Sequence, residues 1–167
     1  FKPNTYKDIK LGSDRILRYN EIPHVLKITT GLYPYHAGDR MYVSLDETIF
    51  DKYGCKYNSL QFVVYDSITM EAWPNSAQPD GFGRFGSVKP CGHNNHTFEF
   101  VYSDTSYRRK AIEFLESIPD GNYVSITNLG MSSNTSFIDD WMKDTLRLGN
   151  GKSLYHALKN QGLTDID

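Results

Sequence analysis

Hydrophobic positions along the chain change their period more than once. Residues 1–20, "FKPNTYKDIKLGSDRILRYN", are polar without a sustained repeat and read as a linker or leading arm with one edge strand near residues 16–19. From there the pattern alternates. Val25, Leu26 and Ile28, then Met41, Val43 and Leu45, each have polar neighbours. This predicts two strands joined by a loop around residues 34–39, where Pro, Gly and Asp supply turn chemistry. The unbroken apolar run "LQFVVY" at 60–65 predicts a strand buried on both faces. "DSITMEAW" after it predicts a turn and a returning partner strand, and residues 97–102 predict another strand.

The period then lengthens. Ala111, Ile112, Leu115 and Ile118 recur at three- and four-residue spacing, preceded by the N-cap candidates of "SDTS". Pro119 must end that helix, and Asp120-Gly121 turns the chain into the strand "NYVSIT". A second helix is expected after Asn134-Thr135-Ser136, with Phe137, Trp141 and Leu146 facing inward. A third opens at Ser153, buries Leu154, Ala157 and Leu158, and closes at Gly162. Six to eight strands followed by three helices predict an α+β layer fold, not alternating βαβ units. Residues 21–167 are expected to form a single β-rich domain.

Residues 73–96, "WPNSAQPDGFGRFGSVKPCGHNNH", break the pattern with three prolines, four glycines and scattered aromatics. A loop longer than about 12–15 residues is uncommon in a compact domain and often functional. Trp73, Phe82 and Phe85, mixed with Asp80, Arg84 and His93, have the composition of a ligand-recognition surface. The competing expectation is that these aromatics fold back to cap one end of the sheets.

Composition narrows the function classes. Eighteen basic against 20 acidic side chains leave no general attraction to nucleic acid or anionic membrane. No apolar run approaches the roughly 20 residues of a membrane helix. Twelve Tyr, nine Phe and two Trp suit a strand-rich core with amphipathic rims. The chain opens at Phe1 without a methionine and reads as a mature product or a piece of a longer protein. Cys55 and Cys91 are compatible with one disulfide in an exported protein or two thiols in a cytosolic one.

Catalytic and metal motifs are weak. Cys91, His93 and His96 lie within six residues, but their spacing matches no zinc pattern, and no metal ligand is assigned. No Gly-x-Ser-x-Gly elbow occurs, and neither cysteine sits in a strand–turn–helix context. Asp139 and Asp140 adjoin on a helix and point apart, whereas Glu113 and Glu116 read as a solvated face. "GFGRFG" is not followed by a helix start or by Gly-Lys-Ser/Thr. No cofactor is expected, and no enzyme activity is assigned.

Two stretches carry a family resemblance. "IEFLESIPDGNYVSI" resembles the helix-to-strand segment of the interleukin-like EMT inducer (ILEI) family, and "DRMYVSLDETIFDKYGCKYNSLQFVVYDSITME" has the layout of its opening. The likeness covers roughly residues 39–166. It departs at Cys55-Lys56-Tyr57, where the family has Gly-Arg-Gly, and at the long loop, so no ligand site carries over. The resemblance implies two packed, mostly antiparallel sheets with short helices along one side. "TSYRRKAIEFLESIPDGNYVSI" and "GNGKSLYHALKNQGLTDID" also look like accessory regions of large Bacteroidetes surface proteins that carry gingipain-like peptidase domains and use type IX secretion. Nothing here matches the peptidase Cys/His dyad. The expected role is a non-catalytic, extracytoplasmic binding or spacer module whose partners are other domains of its parent chain and a glycan or protein. The alternatives are an independent carbohydrate-binding or cytokine-like secreted domain, and a small hydrolase.

Overall fold

The computed structural model describes residues 9–11, 13, 15, 17–19, 24–29, 42–51, 55, 56, 58–90, 95–129 and 136–165. Its centre is a three-stranded antiparallel sheet in the order β7-β6-β8, made of β7 (Phe98–Val101), β6 (Ser59–Tyr65) and β8 (Tyr123–Leu129). All seven residues of β6 are buried, as its unbroken apolar run predicts. The two-residue period of the strand divides its side chains between two layers. Leu60, Phe62 and Val64 join Phe98, Phe100 and the helices in the larger core, while Val63 and Tyr65 join Val43 and Leu45 in a smaller one.

Val43 and Leu45 belong to a second antiparallel sheet, ordered β3 (Leu26–Thr29), β4 (Tyr42–Leu45) and β5 (Thr48–Asp51). Sheet therefore packs on sheet, with helices on the opposite face of the central one. β5 extends this sheet beyond the two strands predicted from the alternation. Asp46 and Glu47, both at positive φ, connect it to β4. That is the primed hairpin geometry usually marked by Asn or Gly, and its absence from the sequence hid the turn. Asp46 also accepts a hydrogen bond from Val25 N (2.8 Å) and meets His24 Nδ1 at 2.6 Å, fixing the start of β3. The loop expected at 34–39 lies outside the described residues.

The leading segment, expected to hold one strand, holds two: β1 (Ile9–Leu11) pairs antiparallel with β2 (Leu17–Tyr19). The return strand expected in 66–73 shrinks to a single bridge, Tyr65 to Ala72. β7 flanks β6 only at residues 59–62, which leaves room for Trp73 N to reach Val64 O at 2.8 Å. The ladder goes no further because Phe62, the next position on β6, is already paired with Phe98 of β7.

α1 (Thr105–Glu116) begins where Asp104 accepts from Ser106 N at 2.7 Å, and it buries Ala111, Ile112, Phe114 and Leu115. Pro119-Asp120-Gly121 then forms the predicted turn, with Gly121 at φ +95. α2 (Ser136–Lys143) breaks at Asp144 before the single turn of α3 (Thr145–Leu148). The break buries Trp141 but leaves Leu146 87 % exposed, against the inward position that an unbroken helix predicts. The Phe137 side chain lies outside the described residues. α4 (Leu154–Asn160) packs Leu154, Ala157 and Leu158 on the larger core.

Arg108 occupies a position that reads as helix surface, yet it is buried. Its Nε donates to Asp144 Oδ2 (2.5 Å), Nη2 to Asp144 Oδ1 (2.9 Å) and Nη1 to Tyr102 O (2.7 Å). This two-pronged pair ties α1 to the break between α2 and α3, with nearly every donor of the guanidinium used.

Candidate functional site

Described residues 73–90 are built around one side chain. Asn75 is fully buried beneath the loop. Its Nδ2 donates to Ser87 Oγ (3.1 Å) and Thr97 O (2.6 Å), and its Oδ1 accepts from Arg84 N (2.7 Å). Its backbone N donates to Asn95 O. One amide thus joins both arms of the loop to the entry of β7. Gly83 lies against it so closely that a Cβ there would stand 2.7 Å from Asn75 Oδ1 and 2.5 Å from Ser87 Oγ. Val88 N then donates to Glu99 O at 2.8 Å, returning the chain to the edge of β7.

Arg84–Gly86 forms a short 3-10 turn at the tip of this structure. Phe85 holds φ 58, a left-handed conformation that costs an ordinary side chain of order 1 kcal/mol. One part of its ring packs on Phe98 and Phe114, with centroids 5.9 and 5.4 Å away, and it remains 37 % exposed. The Arg84 guanidinium lies 5.2 Å from that ring, while Arg84 Nη1 donates to Pro74 O at 2.7 Å.

α1 completes the surface. Lys110 Nζ stands 4.4 Å from the Phe82 ring centroid and 5.0 Å from that of Tyr107. Gly86 makes room for the lysine stem, because a Cβ at that residue would approach Lys110 Cδ to 2.8 Å. Burial pushes the Tyr107 phenol pKa up, and the negative charges of Asp104 and Glu99 add to the rise, so the group stays protonated near neutrality. The assembled patch combines two cations, Arg84 and Lys110, with three rings, Phe85, Phe82 and Tyr107.

The residues expected to form the recognition surface are therefore divided. Phe82, Arg84 and Phe85 lie on this patch. Trp73 is half-buried against the larger core, where it completes the edge of β6. Asp80 is an exposed turn residue whose Oδ1 accepts from Phe82 N at 3.0 Å. His93 lies outside the described residues. Lys110 and Tyr107 do not stand out in the sequence, although their three-residue spacing puts both on one face of α1. Asn75 is equally silent there, one polar residue among many in a loop.

Other arrangements with catalytic residue types have structural roles. Ser153 Oγ lies 2.8 Å from His156 Nδ1, but the serine is buried and caps α4 by accepting from His156 N. Glu99 is buried with its oxygens occupied. Oε2 accepts from Cys55 N (2.8 Å), and Oε1 accepts from Lys56 N (2.8 Å) and Ser59 Oγ (2.6 Å). It clamps the approach to β6. Cys55 itself is disulfide-bonded, and the other cysteine of the sequence, Cys91, lies outside the described residues. Among the described residues, no group of three or more His, Cys, Asp or Glu is placed to hold a metal ion. No helix described is long and apolar enough to cross a membrane. Comparison with family models, with curated proteins and with solved structures yields no match.

Proposed function

We propose that this chain is a non-catalytic recognition module of a larger secreted or cell-surface protein. Its contact surface is the patch formed by Arg84, Phe85, Phe82, Lys110 and Tyr107. The observation that carries this reading is Phe85, a large aromatic kept at positive φ and partly in solvent by a loop that a buried asparagine organises. Local strain held by its surroundings is a mark of functional positions, and an aromatic face rimmed by donors suits a saccharide. The two cations favour a ligand with carboxylate, sulfate or other acceptor groups at its edge.

The resemblance to the ILEI family supports an extracytoplasmic setting, as does a disulfide at Cys55. Within such a parent protein the module would hold the chain against a glycan-bearing surface.

A glycan array that includes acidic saccharides, followed by thermal shift with each hit, tests this reading. The comparison variant is Phe82→Ala combined with Lys110→Ala, two half-buried positions whose loss should leave the fold intact. Binding that falls at least about tenfold in the variant supports the patch. Binding unchanged by the variant would refute this surface, and silence across the array would leave the module a spacer.

A further inference from the structure

We propose that β8 is an open docking edge that pairs with β8 of a second copy of this chain, joining two central sheets into one of six strands. β8 is the outermost strand of its sheet, and among the described residues its one partner is β6. The register shows which backbone groups face outward. Val64 O points away from β8, because it accepts from Trp73 N on the opposite edge. Residues of an antiparallel strand alternate in the edge to which they bond. Ser59, Gln61, Val63 and Tyr65 therefore bond Leu129, Thr127, Ser125 and Tyr123. The N–H and C=O groups of Val124, Ile126 and Asn128 are left facing outward.

A strand edge with outward groups that have no partner among the described residues is a template for another strand unless something guards it, and a charged side chain on the strand is the usual guard. Two other outer strands are guarded: β3 carries Lys27, and Val88 N covers part of β7. β8, "YVSITNL", has no charge, proline or glycine. Tyr123 and Asn128 are exposed along it, and Val124 and Ile126 are half-buried at the margin of the larger core.

The occupant follows from self-complementarity. Outward groups on alternate residues allow several two-fold pairings, and the one centred on the strand places Ile126 opposite Ile126, Val124 opposite Asn128 and Ser125 opposite Thr127. That register overlaps all seven residues and brings no like charges together. It also buries Val124 and Ile126 from both copies side by side, an isologous contact in which the same patch serves both partners.

Sedimentation equilibrium of the intact, disulfide-bonded chain from about 1 µM to about 1 mM tests the proposal, together with Ile126→Pro, Thr127→Lys and cysteine variants. Ile126→Pro removes an outward amide and no bond to β6, and Thr127→Lys installs the missing guard without touching the backbone. The expected result is a dimer whose dissociation constant rises at least about tenfold in each variant that keeps the wild-type circular dichroism. A mixture of Ser125→Cys and Thr127→Cys should oxidise to a covalent dimer that neither forms alone. A monomer across the whole range, or a dimer indifferent to both edge variants, would overturn the proposal.

Discussion

Asn75 shows how much one buried amide can organise. It supplies a donor to each side of the loop and an acceptor to Arg84 N, so the 3-10 turn and Phe85 depend on it. Replacing it by Ala leaves Thr97 O, Ser87 Oγ and Arg84 N without this partner in a region closed to solvent. The expected cost of Asn75→Ala is about 2–3 kcal/mol, a fall in Tm of roughly 4–12 °C, with new proteolytic cleavage between residues 76 and 90. A melt within about 1 °C of wild type would show that the loop is held by something else. Sequence reasoning could mark residues 73–96 as unusual from their Pro and Gly content. It could not select Asn75, because burial of a polar residue is a tertiary fact. For the same reason Trp73 looked equivalent to Phe82 and Phe85 until its amide was seen on the edge of β6.

At the scale of elements, the Arg108–Asp144 pair joins α1 to a chain break that helical periodicity does not foresee. Truncating one partner strands the other as a buried charge, which typically costs about 3–5 kcal/mol. Arg108→Ala should therefore lower stability in urea by about that amount, whereas exposed Arg109→Ala should change it by less than about 0.5 kcal/mol. Equal effects would mean that the pair contributes nothing special. Periodicity identified α1 and α4 because each has one apolar stripe, and β6 because its run is unbroken. It missed β5 because Asp46-Glu47 carries no turn signature, and it misplaced Leu146 because the helix breaks at Asp144.

The start of α1 makes a pH prediction. Hydrogen bonding of the Asp104 carboxylate to Ser106 holds its pKa below the usual 3.8. A depressed folded pKa contributes stability that is present above the unfolded value and is lost as pH falls through the folded one. Asp46 and Asp66, lowered by His24 and by the Thr69 and Ile68 amides respectively, act in the same direction. Thermal stability should decline as pH drops below about 4. Asp104→Asn, which keeps a cap that does not titrate, should lose less between pH 5 and pH 2.5 than wild type does. A loss at least as large in the variant would exclude the cap as a source of acid lability.

The whole molecule is a central sheet covered by a smaller sheet on one face and helices on the other, the α+β layering expected from strands early and helices late. Disulfide bonding at Cys55 adds a constraint beside the Glu99 clamp. If Cys91 is the partner, reduction frees a loop of about 36 residues and should cost about 4 kcal/mol, lowering Tm by roughly 8–16 °C. An unchanged melt with two titratable thiols would rule that pairing out.

The Gly- and Pro-rich segment is built before any ligand arrives. Amide hydrogen exchange of the free protein tests this most directly. The amides of Gly83, Arg84, Ser87 and Val88 each have an acceptor within the fold. They should exchange at least about a hundredfold more slowly than an unstructured peptide of the same sequence, close to the protection of β6. Exchange at the peptide rate at those four positions would contradict a preformed recognition surface.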